Sequence, residues 1–124
     1  MSYVALVTDR FDEAALFYGN LLGFPVVDYW DRDNARGQRF DTGGMRLEII
    51  DNGREKRHLN LGDPAQRMHI VIEVDDIESA RDRIGMDVPP VTETSWGSRL
   101  FQIHDPDGIP ITYLQWLEKR DGRE

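Results

Sequence analysis

Hydrophobic and polar positions in this chain fall into blocks whose period switches along the sequence. Tyr3–Thr8 is apolar and β-rich, which predicts a strand. Phe11, Ala14, Ala15, Tyr18, Leu21 and Leu22 then recur at helical spacing, with Asp9 the expected N-cap and Gly23 the stop. Three short strands are predicted next, at Val26–Trp30, Gln38–Asp41 and Met45–Ile50. The breaks between them fall at Asn34–Gly37 and Thr42–Gly44. A polar segment, Asn52–Arg67, follows. The same succession then returns. His69–Val74 reads as a strand, and Ile77–Ile84 as a helix capped by Asp75 or Asp76 and ended by Gly85. Strands are expected at Val91–Thr94, Ser98–His104 and Pro110–Trp116, with a turn at Asp105–Gly108.

The two halves align as an internal repeat. Residues 3–16 lie over residues 69–82 at a shift of 66, which pairs Asp9 with Asp75 and Ala14 with Ala80. Residues 40–50 lie over residues 104–114 at a shift of 64, which pairs Asp41 with Asp105 and Gly44 with Gly108. Two copies of one unit usually pack about a pseudo-two-fold axis. The reading is an α+β fold of two βαβββ modules so related, forming a cup-shaped curved sheet. It is one domain: module one over 1–51, a linker over 52–67, module two over 68–116 and a polar tail over 117–124. Strand parity assigns the faces. Met68, Ile70, Ile72 and Val74 form one apolar face, and His69, Val71 and Glu73 the other. Leu47 and Ile49 alternate with Arg46 and Glu48. The apolar face should pack under the helices, and the mixed face should line the cup.

The stretches TDRFDEAALFYGNLLGF, HIVIEVDDIESARDRI and WGSRLFQIHDPDGIPITYLQW carry a family resemblance. The chain resembles the vicinal oxygen chelate superfamily, which includes glyoxalase I, bleomycin resistance proteins, extradiol dioxygenases and fosfomycin resistance enzymes. The resemblance is specific for the fold and not for one activity. It implies paired βαβββ modules, a cup-shaped site and a homodimer, with each cup built within one chain or between two. It also implies four ligand places, on the first and last strands of each module: Tyr3, Glu48, His69 and Thr112. The repeat equates Tyr3 with His69 and Glu48 with Thr112.

Only Glu48 and His69 are strong metal-ligand types. The family's metal enzymes usually place His or Gln at the position of Tyr3, and Glu at that of Thr112. No cofactor is therefore expected beyond a weakly held divalent metal, with Glu48 and His69 as its ligands. The same two residues are the candidate catalytic pair. They can alternatively pair with each other across the cup, with Tyr3 and Thr112 as partners, or contact an organic ligand directly.

Composition narrows the classes. With 124 residues, 40% of them hydrophobic, the chain can bury a core. There is no cysteine, hence no disulfide or thiolate chemistry. No apolar run approaches a membrane span, and the N-terminus has no basic region before its apolar stretch, so a cytoplasmic location is expected. A net charge of −8 argues against nucleic acid and would steer a cationic ligand inward. Arg54–Arg57 reads as a solvated linker segment. No nucleophile-elbow motif is present, and Gly43–Gly44 reads as a hairpin turn, not a phosphate loop.

Trp30, Trp96 and Trp116 are many tryptophans for this length, and aromatic walls favour flat ligands. Ordinary core or dimer burial is the competing use. Arg46 shares the face of Glu48, to bind an anion or steady the carboxylate, and Gln102 has the parity of the cup side. The leading expectation is a metal-independent small-molecule binder of the bleomycin-resistance type. It would sequester an apolar or aromatic compound, including a cationic one, in a dimer cleft. The alternative is a metal-dependent lyase, isomerase or dioxygenase of the same superfamily.

Overall fold

The computed structural model describes residues 2–85 and 87–118 of the chain. Its elements follow the repeat. Module one comprises β1 (Tyr3–Thr8), α1 (Phe11–Ala15), β2 (Val26–Arg32), β3 (Ala35–Asp41) and β4 (Arg46–Asp51). Module two comprises β5 (Ile70–Glu73), α2 (Ile77–Ile84), β6 (Thr92–Glu93), β7 (Ser98–His104) and β8 (Pro110–Trp116). Each module forms a four-stranded mixed sheet, in the order β1–β4–β3–β2 or β5–β8–β7–β6. The first strand of each lies parallel to the last, β1 on β4 and β5 on β8. A helix bridges the crossover that parallel pairing requires. The expected tail lies outside the described residues beyond Glu118.

The apolar faces meet in one core. Leu6, Tyr18, Phe40, Leu47 and Ile49 of module one join Ile70, Ile77, Phe101, Ile111 and Tyr113 of module two in a single buried cluster. Ile70 and Ile72 are buried as strand parity predicts, while Val71 and Glu73 are exposed. Both sheets therefore turn their mixed faces away from the shared core. Among the described residues no helix is long and apolar enough to cross a membrane.

Three local expectations are corrected. The first helix is α-helical only through Ala15 and continues as a π-helical segment over Leu16–Leu21. Its wide turn, marked by the bond from Leu22 N to Phe17 O at 2.9 Å, lies where Tyr18 reaches into module two. Asp9 does not cap that helix. Thr8 sits beside Asp51 in the parallel β1–β4 register, so Asp9 meets Asn52, whose Nδ2 donates to it at 2.8 Å. In the second half Asp76 does cap, accepting from Ser79 N at 3.1 Å. Arg54 is not merely solvated: it pairs with Asp31 and donates to the Arg32 carbonyl, which ties the linker to β2.

The β7–β8 turn clamps the modules together. Tyr18 donates to Asp105 Oδ2 at 2.6 Å, and Thr8 donates to Asp107 Oδ2 at 2.7 Å. Asp105 Oδ1 accepts from the backbone of Asp107 and Ile109, while Gly108 supplies the positive φ of 85° that closes the turn. The corresponding turn of module one makes no such clamp among the described residues. Asp41 Oδ1 takes the backbone N–H of Gly43, and a cleft of about 260 Å³ opens between this turn and β5.

Candidate functional site

Strand register decides which side chains share the mixed face of module one. Tyr3 lies beside Arg46, and Ala5 beside Glu48. Arg39 lies opposite Glu48, and Gly37 opposite Trp30. The face is thus Tyr3, Arg46, Glu48, Arg39 and Trp30 arranged across four strands.

Arg39 organises this group. Its Nε and Nη2 donate to Glu48 Oε1 at 3.0 and 2.6 Å. Its guanidinium stands 4.1 Å from the centroid of the Tyr3 ring and 5.7 Å from that of Trp30. Nη1 is 3.6 Å from Asp28 Oδ2. Glu48 is 5% exposed, so its charge is compensated inside the protein and not by bulk water. The bond to Glu48 is the main cause that holds the Arg39 guanidinium above its ordinary pKa. Trp30 lies across Gly37: a Cβ added there would stand 2.2 Å from Trp30 Cζ2, so only glycine leaves the ring its place.

Module two builds a counterpart from His69, Thr112 and Gln102. His69 Nε2 and Thr112 Oγ1 are 2.6 Å apart. Gln102 Nε2 donates to Thr112 Oγ1 at 3.1 Å and lies 3.4 Å from His69 Nε2. Gln102 is opposite Thr112 in the β7–β8 register, as the parity of its strand requires. Trp116 Nε1 donates to Glu73 Oε2 at 3.0 Å, and the Trp116 ring meets Trp96 edge-on at 5.5 Å.

The predicted residues therefore fall into two groups. Tyr3, Trp30, Arg46 and Glu48 gather on one sheet; His69, Gln102 and Thr112 gather on the other, with Trp96 and Trp116 packed together on that same sheet. The alternative of a Glu48–His69 pair is not met within the chain: Glu48 bonds Arg39, and His69 bonds Thr112. Arg46 does not steady Glu48. Its side chain makes no ion pair or hydrogen bond among the described residues, and its Nε is buried without an acceptor.

Arg39 and Asp28 escaped the sequence reading. A signal for Arg39 existed: closing the hairpin at Thr42–Met45 sets Asp41 against Arg46 and, counting back, Arg39 against Glu48. The four family-implied ligand places fit a divalent ion poorly. A guanidinium is bound to the one carboxylate, Tyr3 lies against the same guanidinium, and the Thr112 hydroxyl is committed to His69 and Gln102. Among the described residues no three His, Asp or Glu side chains are placed to hold a metal.

Comparison with known proteins places the fold. The family model described as Glyoxalase/Bleomycin resistance protein/Dioxygenase superfamily matches residues 1–113. Among curated proteins none matches. A solved glyoxalase/bleomycin resistance protein/dioxygenase from Nocardioides superposes with TM-score 0.73 at 21% identity, covering 99% of this chain and 87% of that one. A lactoylglutathione lyase from Agrobacterium tumefaciens gives 0.67 at 21%, covering 93% and 92%. A bleomycin resistance determinant encoded on the transposon Tn5 gives 0.66 at 22%, covering 93% and 96%. At these identities the likeness shows the shared fold of paired modules.

Proposed function

The chain belongs to the Glyoxalase/Bleomycin resistance protein/Dioxygenase superfamily, and from that premise we propose that it is a metal-independent small-molecule binding protein. It takes an apolar or aromatic compound against the mixed faces of its sheets and holds it without turnover. The observation that carries this reading is the Arg39–Glu48 pair. It spends the strongest potential metal ligand of the first sheet on an internal cation and leaves a face walled by Tyr3 and Trp30. Aromatic walls with few, fixed polar groups suit a flat ligand.

A second copy of the chain completes the cleft in this proposal. β1 and β5 are edge strands whose outer edges pair with no other strand among the described residues. Tyr3, Val4 and Val71 on them are 46%, 39% and 48% exposed. Exposed apolar edge strands are normally covered by a partner. A homodimer that sets the first sheet of one protomer beside the second sheet of the other would bring the Glu48 and His69 groups to one site. Fluorescence titration tests the reading: flat aromatic compounds should quench Trp30 emission saturably, in protein stripped with chelator, with no product formed. Chelator-sensitive turnover abolished by Glu48→Ala would replace it with the metal-dependent lyase, isomerase or dioxygenase reading.

A further inference from the structure

We infer that the compound bound carries an anionic group, and that Arg46 receives it. The inference rests on the binding reading above and names the ligand's class: a planar aromatic acid, with a carboxylate, sulfonate or phosphonate on its ring system.

The argument is a charge inventory. The chain has 23 acidic against 15 basic residues, so carboxylates are in surplus. The other partly buried arginines among the described residues each have partners. Arg36 and Arg39 bind Asp51 and Glu48. Arg54 and Arg99 bind Asp31 and Glu78. Arg81 donates to the carbonyls of Val88 and Pro89. Arg46 alone has none, although it is partly buried and one of its donors is fully enclosed. An enclosed donor without an acceptor is unfavourable, and an acceptor brought by a ligand would relieve the neighbouring charge. Asp41, its cross-strand neighbour, directs Oδ1 to the Gly43 N–H and forms no ion pair with it.

The other acids of the mixed faces have hydrogen-bond or ion-pair partners of their own. Glu48 and Asp28 face Arg39, and Glu73 accepts from Trp116. Arg46 is thus the one partly buried cation of this surface whose side chain has no partner among the described residues. Arg46 stands beside Tyr3 in the β1–β4 register. The Tyr3 ring has Arg39 against one face and is half exposed. A ring lying against Tyr3 would carry its anionic substituent beside the neighbouring Arg46 guanidinium. A guanidinium binds carboxylate best in a planar fork geometry.

Three isosteric probes test this by isothermal titration calorimetry: 2-naphthoate, neutral 2-naphthamide and cationic 2-naphthylmethylammonium. The acid should bind about tenfold more tightly than the amide, one charge-assisted interaction's worth, and the ammonium most weakly. In Arg46→Gln, checked for native circular dichroism and melting point, the preference for the acid over the amide should vanish. In Arg67→Gln, a surface control, the preference should persist. Equal affinity for acid and amide, a preference surviving in Arg46→Gln, or tightest binding of the ammonium would overturn the inference and leave the binding reading standing. Failure of all three probes to bind at millimolar concentration would overturn both.

Discussion

Replacing Tyr18 by Phe deletes one oxygen at the junction of the two modules. Tyr18 is fully buried and Asp105 is 5% exposed, and their 2.6 Å bond joins the first helical segment to the β7–β8 turn. The ring, which packs against Phe17 and Phe40, stays in place. What is lost is a hydrogen bond to a charged group, worth about 1.5–3 kcal/mol. At about 2.1 cal/mol/K for each of 124 residues the unfolding entropy is about 0.26 kcal/mol/K, so a loss of about 2 kcal/mol lowers Tm by about 8 °C.

The pH dependence of that loss sharpens the test. Burial pushes the Asp105 carboxyl above the ordinary carboxylate range, against the bonds from Tyr18 and Ile109 that favour its charged form. A carboxyl raised in the folded state keeps a proton that the unfolded chain has released. Stability therefore falls as pH rises from the ordinary aspartate range through the raised value. Without the Tyr18 hydroxyl the charged form loses support, so the deficit of the variant should grow with pH. Scanning calorimetry at pH 4.5 and pH 7.5 measures both. A Tm loss below about 2 °C at pH 7.5, or one that shrinks as pH rises, would refute the assignment of this bond as support for a buried charge.

Further outcomes follow from the same structure. Asp105→Asn should flatten the fall in stability with pH, because the titrating group is gone, and Tm recorded over pH 4–8 reads this directly. Gly37→Ala drives a Cβ into the Trp30 ring and should cost about 1–3 kcal/mol by overpacking, with the tryptophan emission shifted to the red. Arg39→Met leaves Glu48 enclosed without its cation and should lower Tm clearly, while Arg39→Met/Glu48→Leu should recover most of the loss; two additive losses would sink the pairing. Mn, Fe(II), Co, Ni and Zn salts should each shift the Tm of chelator-stripped protein by less than about 1 °C, whereas a rise of several degrees abolished by Glu48→Ala would overturn metal independence.

The strands and the repeat were legible because period and parity are local properties of the sequence. Ile70 and Ile72 went inward and Val71 and Glu73 outward on alternation alone. The edges of elements were not legible. Asp9 has the chemistry of a cap, but its parallel neighbour places Asn52 within reach, and that neighbour is 43 residues away. The π-helical turn at Leu16–Leu21 likewise answers a tertiary contact of Tyr18 that no short window contains. The site was legible in its residue types and not in its pairings. Glu48 is marked by the family pattern, whereas the residue that governs its charge, Arg39, is fixed by hairpin register, which residue types alone do not carry.

The clamp at the β7–β8 turn shows how far the two halves have ceased to be interchangeable. By the shifts of the repeat, Thr8 corresponds to Val74, Tyr18 to Ile84 and Asp107 to Gly43. Both hydroxyl donors and one carboxylate of the clamp thus have partners in the other half that can neither give nor take a hydrogen bond through a side chain. A chain assembled from two first modules would keep the donors and lose an acceptor; one assembled from two second modules would keep the acceptors and lose both donors. The heterogeneity of the copies, and not their likeness, is what gives this chain its order from N- to C-terminus.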